Sequence, residues 1–196
     1  ETRGSGPGSN PGLFVQLGDT LRSEADRFLL DSDDAGADEQ LADAIAAYTN
    51  ALEVVRAAPR GTEEERRWVQ QARDGLCLAG ATMSRLRLQR AQQALQAVDS
   101  LMSGRAIGAE RETLHWLSAT TDAYLHVFNV LHPEVGLYEA VDVEAAIYAL
   151  VSSEGANVSD QERAYRQLAQ QQLETIRNLR TQVEERLRNP PIGRRG

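Results

Sequence analysis

The sequence predicts an all-α protein, arranged as an antiparallel helical bundle or a short α-solenoid of about six helices. Apolar residues recur at every third or fourth position along most of the chain, which is the spacing of one face of an α-helix. No stretch alternates apolar and polar residues as a half-buried strand would. The connecting segments are short and contain residues that start or stop helices, so consecutive helices are expected to pack antiparallel.

The first two helices are predicted on either side of a short acidic segment. Asn10-Pro11 supplies an N-cap and a first-turn proline for a helix that reaches about Leu30. The second helix is predicted from about Asp38, which acts as its cap, to Ala58. The apolar stripe of the first helix is expected to comprise Phe14, Leu17, Leu21, Ala25 and Phe28.

A long third helix is predicted to begin at a capping box, Thr-Glu-Glu-Glu at 62–65. In this motif the Thr62 hydroxyl accepts from the amide of Glu65, and the Glu65 side chain reaches back. Apolar residues keep the helical phase from there to about residue 103. Gly75 and Gly80 each cost about 1 kcal/mol relative to alanine, so the sequence leaves open a kink or break near them.

Three further helices complete the prediction. One covers Ala109 to Leu131, and a short one follows Asp142. The last begins with a second capping box, Ser-Asp-Gln-Glu at 159–162, and runs to about Asn189. We expect a single helical domain at residues 11–189, with flexible segments at 1–10 and 190–196.

Composition narrows the classes of function. The formal net charge of -8 argues against nucleic acid as the main partner, because phosphate binding needs a cationic surface. No apolar run approaches the roughly 20 residues that a transmembrane helix needs, so no membrane span is predicted. The one cysteine, Cys77, excludes an internal disulfide and fits the cytoplasm or another reducing intracellular compartment.

The acidic segment that starts at Asp31 partly matches a calcium-binding EF-hand loop. Asp31, Asp33 and Gly36 occupy loop positions 1, 3 and 6. Positions 5 and 12 are Ala35 and Ala42, where the loop needs carboxylates. Two missing ligands favour a solvated turn, so Asp31 and Asp33 are only weak metal candidates.

Glu112 and His115 form the other weak metal candidate, a Glu-x-x-His pair on one helix face. Carboxylate-bridged di-metal bundles use two such pairs and two further Glu residues, and the sequence supplies only one pair. His126 lies about 16 Å further along the helix at 1.5 Å per residue. The sequence contains no P-loop, dinucleotide fingerprint or nucleophile elbow. We therefore predict no cofactor and no catalytic residue.

The sequence "AIAAYTNALEVVRAAP" at 44–59 resembles the second helix of a tetratricopeptide repeat. Ala44, Tyr48 and Ala51 match its small-aromatic-small spacing, and Leu17-Gly18 resembles the start of its first helix. The acidic segment makes this hairpin longer than the 34-residue repeat. The resemblance covers about residues 14–75 and implies a peptide-binding or scaffold role.

Three functions are compatible with these patterns. The leading hypothesis is a non-catalytic interaction module, a scaffold, adaptor or structural subunit that binds a protein through a groove or its last helix. The second is a ligand-sensing or metal-binding domain with a pocket near His115, His126 and Tyr124. The third is a self-assembling component, such as a viral or shell subunit or a coiled-coil dimer through residues 160–189. The partner-binding stripe predicted on the last helix comprises Tyr165, Leu168, Ile176, Leu179 and Val183.

Overall fold

The structure, a computed structural model, describes residues 10–100, 106–153 and 158–189. Within these ranges every regular element is helical and no strand occurs, which confirms the predicted all-α class and its long third helix. Two short 3-10 turns join the fourth and fifth helices. The α-helices are α1 (Pro11–Leu30), α2 (Asp34–Ala57), α3 (Glu63–Ser100), α4 (Ala106–Leu131), α5 (Val143–Ser152) and α6 (Asp160–Arg188).

Contacts within the chain group into two compact units. Unit 1 comprises Glu1–Thr82 and Asn157–Tyr165, and unit 2 comprises Met83–Ala156 and Arg166–Gly196. The division falls inside α3 and inside α6. The single-domain prediction stays a prediction, and the flexible segments predicted at the two ends lie outside the described residues, apart from Asn10.

The connection between α1 and α2 is shorter than the sequence predicts. α2 begins at Asp34, and its N-cap is Asp33, whose carboxylate accepts a hydrogen bond from the Gly36 N–H at 3.0 Å. The predicted cap at Asp38 is therefore wrong. Gly36, which favours a loop in the sequence, lies in the first turn of α2. A Cβ at this position would meet the Phe28 ring at 2.7 Å, so the glycine lets α2 pack closely against Phe28.

The buried face of α1 also differs from the predicted stripe. Ala25 is buried as predicted, but Leu17 is 48% exposed and Val15 takes the interior position instead. The buried face consists largely of small residues, so α2 approaches closely: a Cβ on Gly18 would lie 2.6 Å from the Tyr48 ring. The other members of the predicted stripe are half-buried: Phe14, Leu21 and Phe28.

Tyr48 is the centre of the unit 1 core. Its ring is fully buried between Gly18 of α1 and Gly75 of α3. A Cβ on Gly75 would lie 2.4 Å from this ring. Its hydroxyl donates to Asp19 Oδ1 at 2.7 Å, and burial together with this carboxylate raises the pKa of Tyr48 to about 12. Gly75 therefore makes room for a ring, and α3 passes through it and Gly80 as one helix.

The first capping box forms with one change. The Glu65 N–H donates to Thr62 Oγ1 at 3.1 Å, as predicted. The Glu65 carboxylate, however, accepts from the backbone N–H of Arg60 at 2.8 Å. The acid thus ties the preceding loop to the start of α3.

In the second capping box the Glu162 carboxylate pairs with an arginine of α3. The Glu162 N–H donates to Ser159 Oγ at 3.2 Å, and the Ser159 hydroxyl donates to Asp74 Oδ1 at 2.8 Å. The Glu162 carboxylate pairs with Arg73 at 2.9 Å and is almost fully buried. A buried carboxylate needs such a cationic partner because desolvation is costly, and the pair joins the start of α6 to α3 within unit 1.

Two further sequence predictions concern burial and hydropathy. Cys77 is a free, buried thiol, as expected for a small hydrophobic residue in the core. Among the described helices, none combines the length and the apolar character that a membrane span requires.

Candidate functional site

Unit 2 contains a groove between α5 and α6 with a volume of about 320 Å³. We call it the α5–α6 groove. Leu173 is buried at its base, whereas Tyr148 of α5 is 43% exposed. Its lining residues are Tyr148, Gln170, Gln171, Leu173, Glu174 and Arg177.

Two arginines of α6 hold α5 in place at either end of this groove. Arg180 forms an ion pair with Glu144 in the first turn of α5. Arg166 donates to the carbonyl oxygens of Leu150 at 3.2 Å and Ser153 at 3.1 Å, in the last turn. The last carbonyls of a helix have no intrahelical partners, so a guanidinium satisfies them well. These contacts fix α5 antiparallel to the unit 2 part of α6.

Residues of α4 and the turn after it support the same frame. The buried Tyr124 hydroxyl donates to Gln172 Oε1 at 2.7 Å, and burial raises the pKa of Tyr124 above its ordinary value. Arg166 Nη2 lies 3.1 Å from His132 Nε2, so this nitrogen is the acceptor. The remaining ring nitrogen, Nδ1, then carries the proton and faces Glu134 Oε1 at 3.3 Å.

The groove supplies contacts that suit recognition. Tyr148 offers an aromatic surface, and the amides of Gln170 and Gln171 each offer donors and an acceptor. Glu174 and Arg177 add opposite charges on one side of α6, and neither has an ion-pair partner among the described residues. These two charges are therefore available to a binding partner.

Exposed apolar side chains concentrate near α5 in the sequence. Of the nine large hydrophobic residues that are exposed in the described part of the chain, four lie within residues 135–148. Scattered exposed hydrophobic residues are normal, whereas a large contiguous patch marks an interaction surface. The four are Val135, Tyr138, Val141 and Tyr148.

The two units differ in charge. The sequence of unit 1 carries seventeen Asp and Glu residues against nine Arg, whereas unit 2 carries twelve against twelve. The whole formal charge of -8 therefore belongs to unit 1. Unit 2, which contains the groove, is formally neutral.

In the structure, the acidic segment caps the end of α1 and the start of α2. Asp31 is the C-cap residue of α1, and its N–H donates to the Arg27 carbonyl at 3.0 Å. Asp33 caps α2. Among the described residues, no three His, Cys, Asp or Glu side chains are grouped so that they could hold a metal ion.

Replacing Asp33 by alanine is expected to destabilise unit 1 by about 1 kcal/mol, the usual effect of losing an N-cap. We expect the same loss with calcium and with a chelator, because the carboxylate serves the Gly36 N–H. Thermal unfolding in both conditions measures it. A calcium-dependent stabilisation of the wild type that disappears in Asp33→Ala would support the calcium loop instead.

The residues of the Glu112–His115 pair and of the predicted ligand pocket each contact different neighbours. Glu112 and His115 are exposed, and the His115 ring packs edge-on against Trp116 at 5.1 Å between centroids. His126 Nδ1 lies 2.9 Å from the Tyr138 hydroxyl. Tyr124 bonds to Gln172, as described above.

Stability is expected to depend on His126 in mild acid. Burial lowers its pKa below the ordinary 6.5, so the unfolded chain takes up a proton first as the pH falls. The protein should therefore lose stability below about pH 6.5 more steeply than His126→Gln does. Urea unfolding from pH 8 to pH 5 tests this. A gap between the two proteins that stays constant across the range would contradict it.

The partner-binding stripe predicted on the last helix lies largely in the interior. Tyr165, Ile176 and Val183 are buried, and Leu168 and Leu179 are half-buried. These residues mainly pack within the chain, and a partner role for them stays a prediction. The groove residues of α6 lie between Leu168 and Leu179 in the sequence. The one signal that distinguishes this stretch is the run of three glutamines at 170–172.

Comparison with known proteins identifies no relative of this chain. The function is therefore inferred from the groove itself. No protein-family model matches the sequence, and no curated protein or solved structure matches it either.

Proposed function

We propose that this chain is a non-catalytic helical module that binds a protein partner at the α5–α6 groove. One observation carries the proposal: Tyr148 is 43% exposed in a groove that Glu174 and Arg177 also line, and neither of these two charges has an ion-pair partner among the described residues. Exposed tyrosines next to a recess are frequent anchors of protein interfaces, because they bury a large area at little entropic cost.

The frame around Tyr148 supports this function. Arg180 and Arg166 fix the two ends of α5, so the groove is formed before any partner arrives. A preformed site loses less conformational entropy on binding than a flexible one.

The resemblance of residues 14–75 to a tetratricopeptide repeat implies the same class of function. Self-association is one form of this function, and the neutral charge of unit 2 favours it.

Site-specific photo-cross-linking tests the proposal. A photoreactive phenylalanine analogue at position 148 is expected to form covalent adducts with protein, either in the purified sample or in a cell extract. The control carries the same analogue at position 111, where Arg111 is exposed on α4 of the same unit. No adduct from position 148, or equal yields from both positions, would contradict the proposal.

A further inference from the structure

We infer that the occupant of the α5–α6 groove is a second copy of this chain, bound through an antiparallel pairing of the two α6 helices. The inference rests on the proposed function and names its partner. It is carried by the charge distribution, by the pair Glu174 and Arg177, and by the position of this pair in α6.

The charge distribution selects the face through which two copies approach each other. Unit 1 carries the whole formal charge of -8, so two unit 1 surfaces repel each other. Unit 2 is formally neutral and imposes no such net repulsion. Two copies therefore meet at the lowest electrostatic cost through unit 2, which contains the groove.

Glu174 and Arg177 make the groove complementary to itself. In a two-fold dimer the same surface serves both subunits, so residue i faces residue j while j faces i. When two α6 helices run antiparallel, Glu174 faces Arg177 of the partner subunit, and Arg177 faces Glu174 of the partner subunit. Two ion pairs form across the axis from charges that have no ion-pair partner among the described residues of their own chain.

The position of this pair within α6 suits such a dimer. The unit 2 part of α6 runs from Arg166 to Arg188, and positions 174 and 177 lie near its middle. A two-fold axis between these positions therefore leaves part of the helix on either side to pair with the partner subunit. At 1.5 Å per residue this part is about 35 Å long, which gives room for an interface toward the roughly 800 Å² per subunit that a stable complex buries.

The other groove residues fit burial between two subunits. Gln170 and Gln171 lie one turn from Glu174, and amides cost less to desolvate than charged groups. Interfaces are enriched in tyrosine. Tyr148 is the exposed aromatic side chain of the groove and packs against α6 of the partner subunit.

Charge reversal tests the antiparallel pairing. Glu174→Arg leaves two arginines on each subunit, and Arg177→Glu leaves two glutamates, so each variant alone is expected to dimerise at least about 10-fold more weakly than the wild type. An equimolar mixture of the two variants restores the pairs and is expected to form heterodimers. The double variant Glu174→Arg/Arg177→Glu carries both reversals in the same chain, so its homodimer is expected to regain both ion pairs between the subunits. Sedimentation equilibrium at protein concentrations from about 1 to 500 μM measures the mass of the wild type, of each variant and of the mixture.

The control makes the same charge change as Glu174→Arg at a position in unit 1. Glu53→Arg alters an exposed position of α2 in unit 1 and is expected to stay dimeric. A wild type that is monomeric throughout the range would overturn the inference. A dimer that survives both single reversals, or a mixture that stays monomeric, would also overturn it. If the dimer is overturned in this way but position 148 still cross-links to a different protein, the proposed function is supported and only the identity of the partner is wrong.

Discussion

Replacing Gly75 by alanine is expected to lower the free energy of unfolding of unit 1 by about 2 kcal/mol. Helix propensity alone predicts a gain of about 1 kcal/mol, because alanine is the better helix former. The new Cβ, however, would lie 2.4 Å from the Tyr48 ring, and a Cβ on Gly18 would lie 2.6 Å from the same ring on the side of α1. The ring cannot retreat without moving a helix, and overpacking of this kind costs about 1–3 kcal/mol or more.

Urea unfolding followed by tryptophan fluorescence measures this effect. Trp68 lies in unit 1 and Trp116 in unit 2, so a Trp116→Phe background reports on unit 1. The control is Gly108→Ala in α4 of unit 2, followed through Trp116 in a Trp68→Phe background. A Cβ at position 108 meets nothing within 4 Å, so the stability of unit 2 should hold or rise. Adding Tyr48→Leu to Gly75→Ala should cost less than the two separate losses together. Additive losses would contradict the proposed clash.

Replacing Arg166 by methionine is expected to destabilise unit 2 by about 2–3 kcal/mol and to release the end of α5. The guanidinium is almost fully buried and donates to the Leu150 and Ser153 carbonyls and to His132. Hydrogen bonds that involve a charged group contribute about 1.5–3 kcal/mol each. The net loss stays below their sum because the freed carbonyls can reach water once the helix end frays.

The matched control is Arg163→Met on the same helix. Arg163 pairs with Asp160 at the surface, and a surface ion pair contributes about 0–1 kcal/mol. Amide hydrogen exchange should accelerate throughout α5 in Arg166→Met and stay unchanged there in Arg163→Met. Protection of α5 that is equal in both variants would show that Arg166 does not hold this helix.

Local sequence signals predicted the helices well wherever the deciding contacts are close in the chain. Asn10 caps α1 and Asp142 caps α5, as the sequence indicates, because each side chain bonds to an amide within three residues. Both capping-box hydroxyls also bond as predicted. The predicted start of α2 was wrong although its cap is local: the Asp33 carboxylate accepts from the Gly36 N–H, and Gly36 favours a loop when only the sequence is considered.

The candidate site was predicted less well than the fold. The sequence indicated the last helix as the interaction surface, yet its apolar stripe packs largely in the interior and its polar residues line the groove. Periodicity identifies which residues share a helix face but not which helix covers that face. The arginines that fix α5 illustrate the difficulty: Arg166 and Arg180 look like ordinary surface residues in the sequence.

The sequence by itself determined the all-α class, most of the described helix ends and the long third helix, because these follow from contacts within a few residues. Only the tertiary structure decided that Gly75 accommodates a ring, that Leu17 is exposed, and that α5 and α6 leave a groove beside Tyr148. These outcomes depend on close packing between residues far apart in the chain. Such packing is set by the shapes of both partners at once, and neither segment encodes it alone.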